Sequence, residues 1–217
     1  MFTSIASWAQ RTAPAAAAML AAVLLAGCST SSSGLVNLWK DPQYSSGPMK
    51  SVLVVAIRND AVTRRLWEDG LVAELRHRGA AAEPSYNLFP NAPPDTSQIA
   101  EAMVAHGFDG VLETHRLATV TGERYVPGYA TTQPVTYYNR WTQMYETYFR
   151  EVYQPGHTET ERIVRYQVNL FSAGAGGRLV WSGTTETVDP SSTQDTNRAI
   201  SKLIVPEMTR TGLIAGR

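Results

Sequence analysis

Residues 51–57 read SVLVVAI, an unbroken apolar segment rich in β-branched side chains. Gly47-Pro48 precedes this segment and Asn59-Asp60 follows it, so residues typical of turns bound it on both sides. A short apolar segment with such boundaries is typical of a β-strand that is buried on both faces. Strands of this kind occur in sheets that helices cover on both sides, which restricts the chain to an α/β type of architecture.

A helix is predicted directly after this strand. Asp60 can cap its first turn, and Gly79 follows its predicted end near Arg78. Two oppositely charged pairs, each four residues apart, follow along this helix: Arg64 with Glu68, and Arg65 with Asp69. Such pairs are worth a few tenths of a kcal/mol each, and we expect them on the solvated surface of the helix, outside any functional site.

A second β-α-β unit is predicted next. A weaker strand covers 80–89, and a capping box at Asp95–Gln98 begins a short helix that ends at His106. A third strand is predicted over 110–120. The order β-α-β-α-β predicts a parallel three-stranded core with right-handed crossovers.

The C-terminal half predicts an antiparallel hairpin. Residues 163–172 alternate between apolar and polar, a glycine-rich turn follows at 173–177, and 178–188 returns. Because these glycines connect two strands, they are typical of a turn and not of a phosphate-binding loop, which leads into a helix. We expect the Trp181 side chain to lie in the core.

The last predicted element is a helix from about Ser192 to Leu213, with a kink or a break at Pro206. The chain therefore predicts an α/β (α+β) fold. A parallel β-α-β-α-β core continues into an antiparallel hairpin and a C-terminal helix, giving one mixed sheet with helices packed on it.

Residues 125–153 contain nine aromatic side chains. We predict a strand over 142–153, because threonine and aromatic residues favour strands, although the spacing also fits a helical stripe. Residues 128–138 predict an exposed loop. Aromatic side chains on an exposed loop are typical of contact surfaces, so we expect Tyr129, Tyr137 and Tyr138 to bind a partner.

The first 27 residues are typical of a secretory signal peptide. Arg11 is their only charge, and the apolar stretch from Ala13 to Ala26 is shorter than the roughly 20 residues of a membrane-spanning helix. We predict a signal peptide over 1–27, a flexible tether over 28–49 and a single globular domain over 50–217.

The tetrapeptide Leu25-Ala26-Gly27-Cys28 resembles a bacterial lipobox. This resemblance implies that the chain is cut before Cys28, that the Cys28 thiol receives diacylglycerol and that the new N-terminus is acylated. Two or more acyl chains give stable membrane attachment. Because Ser29, and not an aspartate, follows the cysteine, the resemblance favours the outer membrane, with the protein facing the periplasm.

More of the chain supports a wider resemblance. It is similar to a family of small, uncharacterised proteobacterial lipoproteins, and its strand-helix order resembles the N-terminal domains of TolB and CsgG-type envelope proteins. Besides the lipobox, the resemblance depends on residues 39–42 (WKDP), the 51–57 strand with the charged helix after it, and residues 179–183 (LVWSG). It implies attachment to the membrane and transfers no ligand-binding residue.

Composition narrows the function classes. The chain carries 19 basic and 19 acidic residues, which argues against a protein that coats nucleic acid. A single cysteine rules out a disulfide framework and a cysteine-built zinc site, and the four histidines lack metal-ligand spacing. We therefore predict no metal and no cofactor.

Glu113 and His115 are the best candidates for acid-base chemistry, because they alternate onto one face of the third strand. We expect them to be structural. A glycan hydrolase would place two carboxylates across an aromatic groove, and no acidic spacing in this chain predicts such a pair. We predict no catalytic residue and a non-catalytic binding module whose partner is an envelope protein or a glycan. The alternative is a periplasmic hydrolase of envelope glycan that uses Glu113 or Glu146.

Overall fold

A computed structural model describes residues 31–216 of the chain. The predictions for the signal peptide and for Cys28 lie outside the described residues. The strands are β1 (Ser32–Lys40), β2 (Ser51–Ile57), β3 (Ala81–Pro84), β4 (Gly110–Val126), β5 (Tyr129–Asn139), β6 (Met144–Gln154), β7 (His157–Ser172) and β8 (Arg178–Val188). The helices are α1 (Ala61–His77), α2 (Thr96–His106) and α3 (Thr193–Arg210), with a 3₁₀ turn at Ser85–Asn87.

Six of these strands form one mixed sheet in the order β1-β8-β7-β4-β2-β3. Strand β2 is parallel to both β3 and β4. The remaining neighbours are antiparallel, from β4 through β7 and β8 to β1. The fold is α+β, which confirms the prediction of a parallel core continued by an antiparallel hairpin and a C-terminal helix.

Local signals in the sequence place the first two helices as predicted. The Asp60 carboxylate accepts a hydrogen bond from the Thr63 backbone N–H at 2.7 Å and caps α1. Both hydrogen bonds of the Asp95–Gln98 capping box are formed at α2. After α2, Gly107 has a φ of 69°, and the chain reverses through a hydrogen bond from the Phe108 N–H to the Met103 carbonyl at 3.1 Å.

Helices α1 and α3 cover one face of the sheet and build the main core. Their fully buried side chains include Trp67, Leu71, Ile200 and Ile204. Helix α2 covers part of the other face, where a smaller cluster contains Leu53, Val55 and Phe108. Alternate side chains of β2 enter the two clusters, so this strand is buried on both faces, as predicted. Trp181 is fully buried, which confirms its place in the core.

The structure corrects the prediction of a flexible tether over 28–49. Residues 32–40 form β1, which pairs with β8 from Ser32 opposite Val188 to Lys40 opposite Trp181. Pairing with β8 supplies the backbone hydrogen bonds of this segment, whose first three residues are Ser-Ser-Gly. Within the described residues, regular structure therefore begins at β1 and not at residue 50.

The Arg64–Glu68 pair is buried, and the prediction that it lies on the solvated surface is wrong. The two side chains are 3% and 0% exposed, with 3.0 Å between Arg64 Nε and Glu68 Oε1. The 3₁₀ turn packs over this part of α1, and Ser85 Oγ donates to Glu68 Oε1 at 2.8 Å. Arg65 and Asp69, which lie further around the helix, are exposed as predicted.

Three element boundaries also differ from the prediction. Strand β3 ends at Pro84, because the 3₁₀ turn takes the residues that we assigned to a strand over 80–89. Strand β4 continues six residues beyond 120, to Val126, because β7 remains paired with it. Helix α3 ends at Arg210 and runs through Pro206 without the predicted break.

Each helix of the described chain is too short or too polar to cross a lipid bilayer.

Candidate functional site

The segment that we predicted to be a loop over 128–138 is a strand. Residues 129–139 form β5, which pairs in antiparallel register with β6 over its whole length, and the strand predicted over 142–153 is confirmed as β6. The two form a separate two-stranded sheet beyond the ends of β4 and β7. We call residues 129–154 the aromatic arm.

Both faces of the aromatic arm carry exposed aromatic side chains. Cross-strand partners share a face. One face contains Tyr137 and Tyr148, whose ring centroids lie 5.9 Å apart, and the other contains Tyr138 and Tyr145, at 5.3 Å. Trp141, in the turn at the tip, is 96% exposed. The arm therefore presents apolar surface in more than one direction.

The three tyrosines that we predicted as partner-binding all lie on the arm, and all are exposed: Tyr129 by 62%, Tyr137 by 45% and Tyr138 by 50%. They do not form one patch. Tyr137 and Tyr138 are near the tip on opposite faces. Tyr129 is at the base, about 26 Å from Tyr137 along the strand. The exposure predicted for them is present, although the backbone that holds them is a strand.

Glu146 holds the tip of the arm together. Its carboxylate accepts hydrogen bonds from Tyr137 Oη at 2.8 Å, Asn139 Nδ2 at 2.8 Å and Thr142 Oγ1 at 2.9 Å. These bonds hold the pKa of Glu146 below its ordinary value. A general acid carries a proton near neutral pH, and the lowered pKa of Glu146 is the opposite of what that role requires.

Two glycines form the joint between the arm and the body. A Cβ at Gly128 would lie 2.7 Å from the Gln154 carbonyl oxygen and 2.8 Å from the Gly156 nitrogen. A Cβ at Gly156 would lie 2.9 Å from the Gly128 nitrogen. The two backbone segments therefore approach too closely for any side chain, which explains the glycines at 128 and 156.

Glu113 and His115 lie on one face of β4, as predicted, and they contact each other. The distance from Glu113 Oε1 to His115 Nδ1 is 2.7 Å. The second carboxylate oxygen accepts a hydrogen bond from Asn169 Nδ2 at 2.8 Å, and Ser182 Oγ donates to Asn169 Oδ1 at 2.8 Å. The result is a continuous polar network across β4, β7 and β8, on the sheet face that α2 covers in part.

Sequence reasoning missed Asn169 and Ser182 as partners of Glu113. The pairing of β7 with β4 and β8 brings these side chains together, since Glu113 lies opposite Asn169 and Asn169 lies opposite Ser182. The alternation of 163–172 placed Asn169 on the polar face, but no local signal gives the strand order that brings it to β4. The network uses both oxygens of Glu113 in hydrogen bonds, and Glu146 lies in a different sheet, so these two acids do not form the carboxylate pair of a hydrolase.

A groove of about 750 Å³ lies between α1 and α3. The two helices approach closely at Gly70, where an added Cβ would collide with the side chain of Asn197. Asn197 Nδ2 donates to the Leu66 carbonyl at 2.6 Å. Acidic and basic side chains line the groove together, and this mixture favours no ligand charge.

Within residues 31–216, no group of three His, Cys, Asp or Glu side chains is placed to hold a metal ion.

Neither a protein-family model nor a curated protein matches this sequence. Among solved structures, the chain is similar to the PelC dodecamer of Paraburkholderia phytofirmans, determined in two crystal forms, one of them of a point mutant. Each shows 13% identity and a TM-score of 0.43 over 87% of this chain and 100% of that chain. A PDZ domain protein from Parabacteroides distasonis shows 10% identity and a TM-score of 0.37 over 82% of this chain and 36% of that chain.

Proposed function

We propose that this protein is a lipid-anchored envelope protein that acts as a non-catalytic interaction module, and that its partner binds the aromatic arm. The anchor is the diacylglycerol that the lipobox resemblance implies on Cys28, and the following Ser29 favours the periplasmic side of the outer membrane. The observation that carries the proposal is the arm itself, a two-stranded sheet with aromatic side chains exposed on both faces.

The stability of the arm supports a binding role. An isolated two-stranded hairpin is marginally stable in water, because it buries little apolar surface of its own. Here the side chains available for burial are large: Phe149 is 71% exposed, Tyr145 77% and Met144 68%. Complete burial of one such side chain contributes about 1.5–3 kcal/mol. A partner that covers several of these side chains would therefore stabilise the folded arm, which buries little apolar surface by itself.

The arrangement favours a protein partner over a glycan. Aromatic side chains lie on both faces of the arm, and both strands have an unpaired edge in the described structure. A protein can enclose two faces or add a strand to an edge, whereas a single glycan chain stacks on one face. The few charges of the arm, Arg140, Glu146, Arg150 and Glu151, balance each other, which suits an interface dominated by apolar contact.

Changing Tyr129, Tyr137 and Tyr138 together to serine tests the interface. The three rings are exposed and belong to neither hydrophobic cluster of the body, so we expect the free energy of unfolding of the body to stay within about 1 kcal/mol of wild type. The wild-type protein, extracted from the membrane with detergent, should sediment as a complex with its partner. The tyrosine variant should sediment as the free protein.

The matched control replaces exposed apolar residues away from the arm. Val62 on α1 is 74% exposed and Val104 on α2 is 87% exposed. A Val62→Ser, Val104→Ser variant should keep the complex. If the tyrosine variant keeps it as well, the arm is not the interface; if the tyrosine variant unfolds, the three rings belong to the folded core.

Cys28→Ala tests the anchor. Without the thiol there is no acyl chain, so the variant should remain an unprocessed precursor or appear in the soluble fraction, and it should lose incorporation of labelled palmitate. A Cys28→Ala protein that is processed to mature length and still stays in the membrane fraction at the wild-type level would contradict the proposed attachment.

A further inference from the structure

Strand β1 forms one edge of the six-stranded sheet, with β8 as its neighbour. Three of its apolar side chains are about half exposed: Val36 by 48%, Leu38 by 48% and Trp39 by 47%. Leu38 and Trp39 are consecutive in the regularly paired part of the strand, so their side chains lie on opposite faces of the sheet. The exposed apolar surface therefore lies along the edge of the sheet and is not confined to one of its faces.

Sheet edges in water are ordinarily protected by charges, by proline or by a covering element. Residues 32–40 contain no acidic residue and no proline, and their one charge is Lys40 at the end of the strand. The Lys40 ammonium group is already bound to the Thr211 carbonyl, at 2.6 Å. A bulge between Leu35 and Asn37 is the one protective device on this edge.

Strand β1 begins four residues after Cys28, so a lipid anchor on Cys28 would bring its edge close to the membrane. Ser32 follows Cys28 by four residues, and a fully extended chain of this length spans at most about 14 Å. An acyl chain on Cys28 therefore holds the first residue of β1 close to the lipid headgroups. From Ser32, Val36 is about 13 Å further along the strand and Trp39 about 23 Å further, so these side chains reach the membrane when the edge lies along its surface.

We infer that the β1 edge is a membrane-contact surface on which Val36, Leu38 and Trp39 enter the headgroup region of the bilayer. This inference rests on the proposed lipidation of Cys28. An indole ring suits the position, because its apolar body and polar N–H favour the membrane-water interface. The absence of carboxylates from residues 32–40 avoids repulsion by anionic lipids.

The distribution of tryptophans provides the test. After removal of residues 1–27, four tryptophans remain: Trp39, Trp67, Trp141 and Trp181. Trp67 and Trp181 are fully buried, whereas Trp39 and Trp141 are exposed, on β1 and on the arm. Lipids with brominated acyl chains quench a tryptophan only at short range. The lipoprotein is therefore reconstituted into vesicles of phosphatidylethanolamine and phosphatidylglycerol, with and without a brominated phosphatidylcholine.

We expect bromolipid to quench the wild type, Trp39→Phe to lose most of this quenching, and the matched variant Trp141→Phe to retain it. If Trp39→Phe is quenched as strongly as the wild type, the β1 edge does not contact the membrane. If Trp141→Phe is the variant that loses quenching, the arm is the membrane-contact surface, and this too overturns the inference. Absence of quenching in the wild type would show that the edge faces water or a protein.

A second preparation separates failure of this inference from failure of the proposed anchor. Cys28 is the single cysteine of the chain. The mature chain with an unmodified Cys28 is coupled through its thiol to a maleimide headgroup lipid in the same vesicles. Lack of palmitate incorporation in cells, together with Trp39-dependent quenching in the coupled protein, would refute the anchor alone. Palmitate incorporation without Trp39-dependent quenching would refute the membrane contact alone.

Discussion

Removing the Glu68 side chain from α1 should destabilise the protein by about 3–5 kcal/mol, the range for removing one partner of a buried ion pair. Glu68 is fully buried, and four groups donate to its carboxylate. Oε1 accepts from Arg64 Nε at 3.0 Å, Ser85 Oγ at 2.8 Å and the Ala56 N–H at 3.1 Å, and Oε2 accepts from the Tyr86 N–H at 2.9 Å. Glu68→Ala leaves the buried Arg64 cation and these donors without their acceptor.

The assay is equilibrium unfolding in urea, followed by tryptophan fluorescence. Trp67, next to Glu68 in the chain, and Trp181 are both fully buried, so the tryptophan emission of the protein changes when the core is lost. Each kcal/mol changes the midpoint of thermal unfolding by about 2–4 °C in a domain of this size, so a decrease of about 6–20 °C should accompany Glu68→Ala.

Glu74→Ala is the matched control on the same helix. Glu74 pairs with Arg78 at 3.0 Å, but the two side chains are 15% and 35% exposed. Its removal should change the free energy of unfolding by about 0.5 kcal/mol or less. The double variant Arg64→Met, Glu68→Leu removes both charges together and should be less destabilising than Glu68→Ala alone. Equal effects of Glu68→Ala and Glu74→Ala would refute the buried network as a source of stability.

Three further changes probe the core and the arm. Trp181→Ala should lower the free energy of unfolding by about 3–5 kcal/mol in the same urea assay, because the indole is fully buried. A urea midpoint equal to that of wild type would contradict this. Gly183→Ala should lower it by about 1–3 kcal/mol, because the new Cβ would meet the Trp181 ring; a neutral effect would show that the ring can move away. Hydrogen bonds, first from Tyr137, hold the pKa of Glu146 below its ordinary value of 4.5. The ionised form therefore favours the folded tip, and this contribution is complete above the unfolded-state pKa and lost as the pH falls through the lowered folded-state value. Amide protection factors at the tip should decrease in this range more than those of β8, and equal changes would assign the loss to the whole fold.

The elements that sequence analysis located correctly are those in which local signals and burial agree. The 51–57 strand is apolar throughout because it is covered on both faces, and the capping box at Asp95–Gln98 is complete within four residues. Residues 163–172 alternate between apolar and polar because one face of this strand packs against the core. In each case the information lies within a few residues of the element.

The wrong and missed predictions concern features that depend on residues far away in the chain or on which faces are covered. Strand β5 shows no apolar-polar alternation, because neither of its faces is covered, so its sequence resembles that of a loop. Strand β1 depends on pairing with β8, about 150 residues away in the chain. Likewise, i,i+4 spacing is the same for a solvated ion pair and for a buried one, and the turn that covers Arg64 and Glu68 comes from residues 85–87. The Glu113–Asn169 contact depends on strand order, which no local pattern contains.

Site-specific photo-cross-linking in intact cells tests whether the aromatic arm is the interface. A benzophenone amino acid replaces Tyr145 on the arm, which is 77% exposed, or Val62 on α1, which is 74% exposed. The two positions are equally accessible, so chance collisions label both alike. We predict one cross-linked product of defined mass from position 145 and none from position 62. A product from position 62 with none from position 145, or the same pattern from both, would contradict the proposed role of the arm.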